Sequence, residues 1–81
     1  MRYDDSKIDD VVLAVLYLTA FEEQGLTRAW KGVDWVATDR LHTKGLIDDP
    51  KGRAKSIIFT SAGLARAKAV AEKLFAPDRT S

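Results

Sequence analysis

Residues 41–63 read LHTKGLIDDPKGRAKSIIFTSAG, and they carry a helix stop, a tight turn and a helix start in that order. Gly45 follows an amphipathic run and is placed to close a helix in the left-handed conformation. Leu46 is the apolar residue that can fold back onto Leu41 in a Schellman ending. Asp49, Pro50 and Gly52 occupy the first, second and fourth places of a type I turn. Leu46 and Ile47 precede the turn and Ser56 to Phe59 follow it, so the stretch predicts a β-hairpin. Thr60 or Ser61 then caps a last helix.

The flanking chain is read from this anchor. Asp5 or Ser6 is expected to cap a first helix, IDDVVLAVLYLTAFEEQ, whose early acidic residues suit its dipole. Ile8, Val12, Val15 and Thr19 form one row at helical spacing, and Val11, Val15, Leu18 and Phe21 form another. Leu13 and Tyr17 fall to the side of both. An apolar surface this wide predicts a helix covered on more than one side. Gly25 is the expected end. LTRAWKG predicts a short helix stopped by Gly32, with Trp30 buried beneath the first and last helices. Asp34 is expected to cap a further helix through WVATDRLHTK. The last helix, AGLARAKAVAEKLF, turns Leu64, Ala67, Ala71, Leu74 and Phe75 to one face, and Pro77 stops it.

The expected fold class is therefore mainly α with a small β-hairpin. Its order is helix, short helix, helix, two-stranded wing, helix, which is winged helix-turn-helix-like. Residues 1–76 are expected to form a single domain, with 77–81 a loose tail.

Length and composition narrow the function. A chain of 81 residues buries only about 60% of its unfolded surface, so its own core is marginal. It has no cysteine and a single histidine, His42, which leaves no disulfide and no multi-histidine metal site to reinforce it. A second subunit is the remaining support, and a homodimer through the first and last helices is expected. No apolar run reaches the ~18 residues of a membrane span. The acidic start is unlike a signal peptide. A soluble cytoplasmic protein with no membrane partner is expected. The net charge is +1, divided between an acidic half, residues 1–39, and a basic half, residues 40–81. Such division suits head-to-tail association or an anionic partner, and also occurs without consequence in small domains.

Residues 41–67 resemble the second half of winged-helix regulators of the MarR and PadR type. Leu41, Lys44, Gly45, Leu46 and Ile47 match a pattern L-x-x-K-G-L-I. Phe59, Thr60 and Gly63 match L-T-x-x-G, with Phe in place of the usual Leu. The resemblance covers roughly residues 34–70 and implies a winged helix, dimerisation through terminal helices and duplex DNA as a partner. The whole chain also resembles a small uncharacterised bacterial family that shares an opening like KIDDVVLALLYL, then AWKG-DW, DRLH-KGLI and a terminal LF. The first half departs from the regulators. With Gly32 as the turn glycine of a helix-turn-helix, the apolar places fall on Thr27, Lys31, Val33, Thr38 and Leu41, and only two of these are apolar.

Lys51, Arg53 and Lys55 alternate along the outgoing side of the wing and are the expected phosphate contacts, with Arg66 and Lys68 as an extension. The solvated alternative is a charged hairpin that resists edge pairing. The helix that would enter a groove turns out Asp34, Trp35, Thr38, Asp39 and His42. Only Thr38 and His42 there suit base contact, because the aspartates repel phosphate. No catalytic set is visible, since the acidic pairs are sequence neighbours that suit caps and turns. No nucleotide-binding glycine motif is present either. The chain is not expected to be an enzyme or to carry a cofactor. Two functions remain in view. One is a DNA-binding transcriptional regulator working through its wing. The other is a protein-interaction module working through the apolar first helix and Trp35.

Overall fold

The computed structural model describes residues 2–30, 32, 35–50 and 55–77. These residues form three helices, α1 (Asp5–Leu18), α2 (Trp35–Thr43) and α3 (Ser61–Phe75), and three strands, β1 (Phe21–Glu23), β2 (Leu26–Trp30) and β3 (Ser56–Ile58). The chain order is α1-β1-β2-α2-β3-α3, and the strands form one antiparallel sheet in the order β1-β2-β3. The protein is thus mixed α and β.

The expected short helix is a strand. LTRAWKG supplies β2, which pairs with β1 through Phe21↔Arg28, Glu22↔Thr27 and Glu23↔Leu26. Gln24 and Gly25 make the turn between them, with φ of 54° and 77°. Positive φ at both central residues is the requirement of a type I′ hairpin turn, whose twist matches that of the strands. Gly25 therefore turns a hairpin rather than ending a helix. The first helix stops earlier, where the Thr19 hydroxyl donates to the Val15 and Leu16 carbonyls. Asp4, not Asp5 or Ser6, caps its start: the Asp4 carboxylate accepts from the Ser6 and Lys7 amides at 2.9 and 3.3 Å.

α2 ends as its sequence requires. Gly45 has φ 76°, the Leu46 N–H donates to the Leu41 carbonyl at 3.0 Å, and the Gly45 N–H donates to the His42 carbonyl at 2.9 Å. These are the paired bonds of a Schellman ending. The chain then runs antiparallel to the β3 segment. Ile47 bridges Phe59, and the Asp48 N–H donates to the Ile58 carbonyl at 2.9 Å. The two limbs of the expected wing do meet, but β3 makes its longer pairing with β2, through Arg28↔Ile58, Ala29↔Ile57 and Trp30↔Ser56. The expected isolated two-stranded wing is therefore joined to a three-stranded sheet.

Thr60 is the N-cap of α3. Its hydroxyl accepts from the Gly63 N–H at 2.9 Å and donates to the Gly45 carbonyl at 2.7 Å. One side chain thus ties the end of α2 to the start of α3. Leu13, Leu16, Ala29, Leu41, Ile47, Ile57, Phe59 and Ala67 form the main core, and Ala14, Val70 and Ala71 form a second cluster. Tyr17 packs against both.

Candidate interaction surface

The core claims the side of α1 that carries Asp9, Leu13 and Leu16. Positions spaced by four and three share one helix face, so the row opposite is turned outward. Val11, Val15 and Leu18 are 46%, 41% and 60% exposed, and Ile8 and Val12 are half-buried beside them. Of the two expected apolar rows, Val11, Val15, Leu18 and Thr19 are exposed, Ile8, Val12 and Phe21 are half-buried, and Val12 packs against the main core. Two apolar stripes compete on α1, and the one that also carries a carboxylate goes inside.

Ion pairing makes that choice tolerable. Asp9 is 1% exposed. One oxygen accepts from Arg40 Nε on α2 at 2.8 Å, and the other accepts from Lys44 Nζ at 2.7 Å. A buried carboxylate is tolerated only when paired and hydrogen-bonded. Its neighbour Asp10 takes both contacts of one guanidinium nitrogen of Arg66, at 3.0 and 2.8 Å. Acidic residues of the first half thus meet basic residues of the second half within the chain. The division of charge along the sequence is satisfied, at these pairs, by folding. Arg66 is paired with Asp10, and Lys68 is exposed.

Where α1 meets α3 the outer face deepens into a groove of about 440 Å³. Val11, Val70 and Leu74 line it, with Lys7, Asp10 and Lys73 at the rim. Leu74 and Phe75, expected in the core face of the last helix, are each 46% exposed, so the apolar surface passes from α1 onto the end of α3. A smaller hollow lies beside Ile8, Val11 and Val12. Large exposed apolar patches of this kind mark contact surfaces.

The sheet carries a second exposed group. Trp30, expected beneath the helices, is 59% exposed, and its ring lies 5.0 Å from that of Phe21. Alternation along β2 explains this. Ala29 points into the core, so its neighbours Arg28 and Trp30 point to the other face. Arg28 Nε donates to Ser56 Oγ at 2.9 Å across the strands.

Three of the five expected nucleic-acid contacts fall among the described residues. Thr38 is 4% exposed, so it faces inward rather than toward a groove. His42 is exposed, with Nδ1 3.2 Å from the Ile47 carbonyl. Lys55 is exposed just before β3. Lys51 and Arg53, the end of the expected turn at Gly52, the expected cap Asp34 and the Trp35 side chain lie outside the described residues. Residues 78–81 of the expected tail do as well. Among the described residues no group of three His, Cys, Asp or Glu side chains converges as metal ligands. No described helix is long and apolar enough to cross a membrane.

A family model described as a domain of unknown function (DUF6429) matches residues 4–77. The uncharacterized protein y4hR of Sinorhizobium fredii (strain NBRC 101917 / NGR234) is 49% identical over 75 residues, which cover 93% of this chain and 97% of that protein. No solved structure matches the chain. Both matches fit the small bacterial family expected from the sequence, and neither carries a winged-helix description.

Proposed function

The chain belongs to the family described as a domain of unknown function (DUF6429), and we propose that it is a protein-interaction module, not an enzyme, whose working surface is the outer apolar face of α1. The observation that carries this reading is the exposed row Val11, Val15 and Leu18 on a helix that ion pairs link to α2, its C-terminal turn and α3. A surface on a formed helix lowers the ordering cost of association. Homodimerisation through α1 and the end of α3 is one use of that face. The reading calls for no cofactor.

Site-specific photo-cross-linking in cells tests it. A photoreactive residue at Val15 should give an adduct of discrete mass, and one at the exposed Ala62 should not. No adduct from Val15 overturns the reading.

A second reading is a winged-helix DNA-binding regulator. Support comes from the pairing of the two wing limbs at Ile47 and Phe59, whose connection carries Lys51, Arg53 and Lys55. Filter binding to random duplex DNA at two salt concentrations tests this reading. Phosphate contacts should appear as a salt slope that falls by about 1 for each of the three residues replaced by alanine. No binding at low salt removes it.

A further inference from the structure

We infer that the occupant of the outer α1 face is the α1 of a second copy of this chain, packed antiparallel about a two-fold axis. The inference rests on the reading of that face as the working surface and adds its partner and orientation.

Ile8, Val11, Val15 and Leu18 are separated by three, four and three residues, the spacing of a coiled-coil seam. The seam is self-complementary in one orientation. When two copies run antiparallel and centre between Val11 and Val15, Ile8 lies opposite Leu18 and Val11 opposite Val15. A two-fold interface has this form, with residue i meeting j and j meeting i. Each step across the seam then sets a β-branched residue against a β-branched residue or a leucine.

Charge at Lys7 favours the same orientation. Lys7 stands at the first end of the row and lines the hollow beside Ile8. Glu22 stands at the other end, where it lines one hollow with Leu18 and Lys68, so that end is near neutral. An antiparallel pair brings each Lys7 to the partner's Glu22 end. A parallel pair sets Lys7 against Lys7 and Glu22 against Glu22. The helix dipoles also oppose one another favourably in the antiparallel pair. Leu74 and Phe75 of α3, beside Val11 in the groove wall and just beyond it, widen the contact past a single helix.

Size sets the strength. Two helices of 14 residues with the α3 ends offer a short seam, and small interfaces belong to weak and reversible association. Sedimentation equilibrium across roughly 10–200 µM should show a mass rising from monomer toward dimer. Leu18→Glu should raise the dissociation constant at least about tenfold, since it buries a charge at the seam. Its unchanged far-ultraviolet circular dichroism would exclude misfolding, because Leu18 faces away from the core. Lys7→Glu should weaken the dimer, and Lys7→Glu with Glu22→Lys should restore it.

The absence of cysteine makes orientation directly testable. An equimolar mixture of Ile8→Cys and Leu18→Cys chains should oxidise mainly to the mixed disulfide. Predominant 8–8 and 18–18 dimers would overturn the antiparallel arrangement. A monomer mass throughout the concentration range would overturn the second copy as partner. If photo-cross-linking at Val15 then still yielded an adduct with another protein, the interaction-module reading would stand while this inference fell.

Discussion

Gly63 at the start of α3 lies against the Leu46 backbone, so closely that a Cβ built on it would overlap the Leu46 carbonyl oxygen and stand 2.5 Å from its carbon. The same Leu46 carbonyl accepts from the Thr60 N–H at 3.1 Å. This contact gives the separated motifs K-G-L-I and T-x-x-G a common physical cause. Gly45 turns the chain, Leu46 presents its carbonyl, Thr60 binds both sides, and Gly63 has no side chain to keep them apart.

Gly63→Ala is therefore expected to destabilise the protein, although alanine in a helix is worth about 1 kcal/mol over glycine. The obstructing atoms are backbone and cannot rotate away. Overpacking of this kind costs about 1–3 kcal/mol or more, so the clash outweighs the propensity. Thr60→Ala should lose about 0.5–2 kcal/mol through the cap. Urea unfolding measures both, and a Gly63→Ala protein more stable than the parent would contradict the close approach.

The adjacent carboxylates Asp9 and Asp10 should respond very differently to neutralisation. Asp9→Asn removes the charge between Arg40 and Lys44 at a buried position, and charged hydrogen bonds are worth about 1.5–3 kcal/mol each. Asp10 and Arg66 are both well exposed, so Asp10→Asn should cost no more than about 1 kcal/mol. Added salt should erase the smaller effect and leave most of the larger one. Equal losses at the two positions would show that Asp9 is not the interior member.

The choice of buried face on α1 can be checked by two truncations. Leu13 is wholly buried, and Leu13→Ala should cost about 2–5 kcal/mol through lost burial and a cavity. Leu18→Ala should change monomer stability by far less, within about 0.5 kcal/mol after allowing for association. Denaturation at low micromolar concentration separates folding from self-association. A larger loss at Leu18 would restore the outer row to the core.

Trp30 should be accessible in solution. In a Trp35→Phe background its emission should be red-shifted and quenched by iodide. Trp30→Ala should cost about 0.5–1.5 kcal/mol, the worth of its pairing with Phe21, rather than the roughly 3–5 kcal/mol of a buried tryptophan. Blue-shifted, unquenched emission would place the ring inside.

Local signals in the sequence were legible where the physics was local. The Gly45 stop, the return of Leu46 toward Leu41 and a cap at Thr60 or Ser61 each depend on a few neighbouring residues; Gly45 has positive φ, Leu46 packs against the core that includes Leu41, and Thr60 is the cap. The Gln24-Gly25 turn was also local, but glutamine seldom takes positive φ, so Gly25 resembled a helix end. Once that turn is missed, LTRAWKG has no strand to pair with and reads as a helix. The pairing of β2 with both β1 and β3 is what makes it a strand.

The candidate surface was half legible. The surplus of apolar residues on α1 was plain from the sequence, and it does exceed what one core face can bury. Which stripe remained outside was not, because both stripes have helical spacing. The chain by itself determined the stop of α2 at Gly45, the start of α3 at Thr60 or Ser61, the lack of cysteine and the excess of apolar surface on α1. Tertiary structure alone decided that Asp9 goes inside with Leu13 and Leu16, because Arg40 and Lys44, 31 and 35 residues away, are there to pair it. Those partners are brought close only by folding, and with Asp9 inward the row Val11, Val15 and Leu18 has to face out.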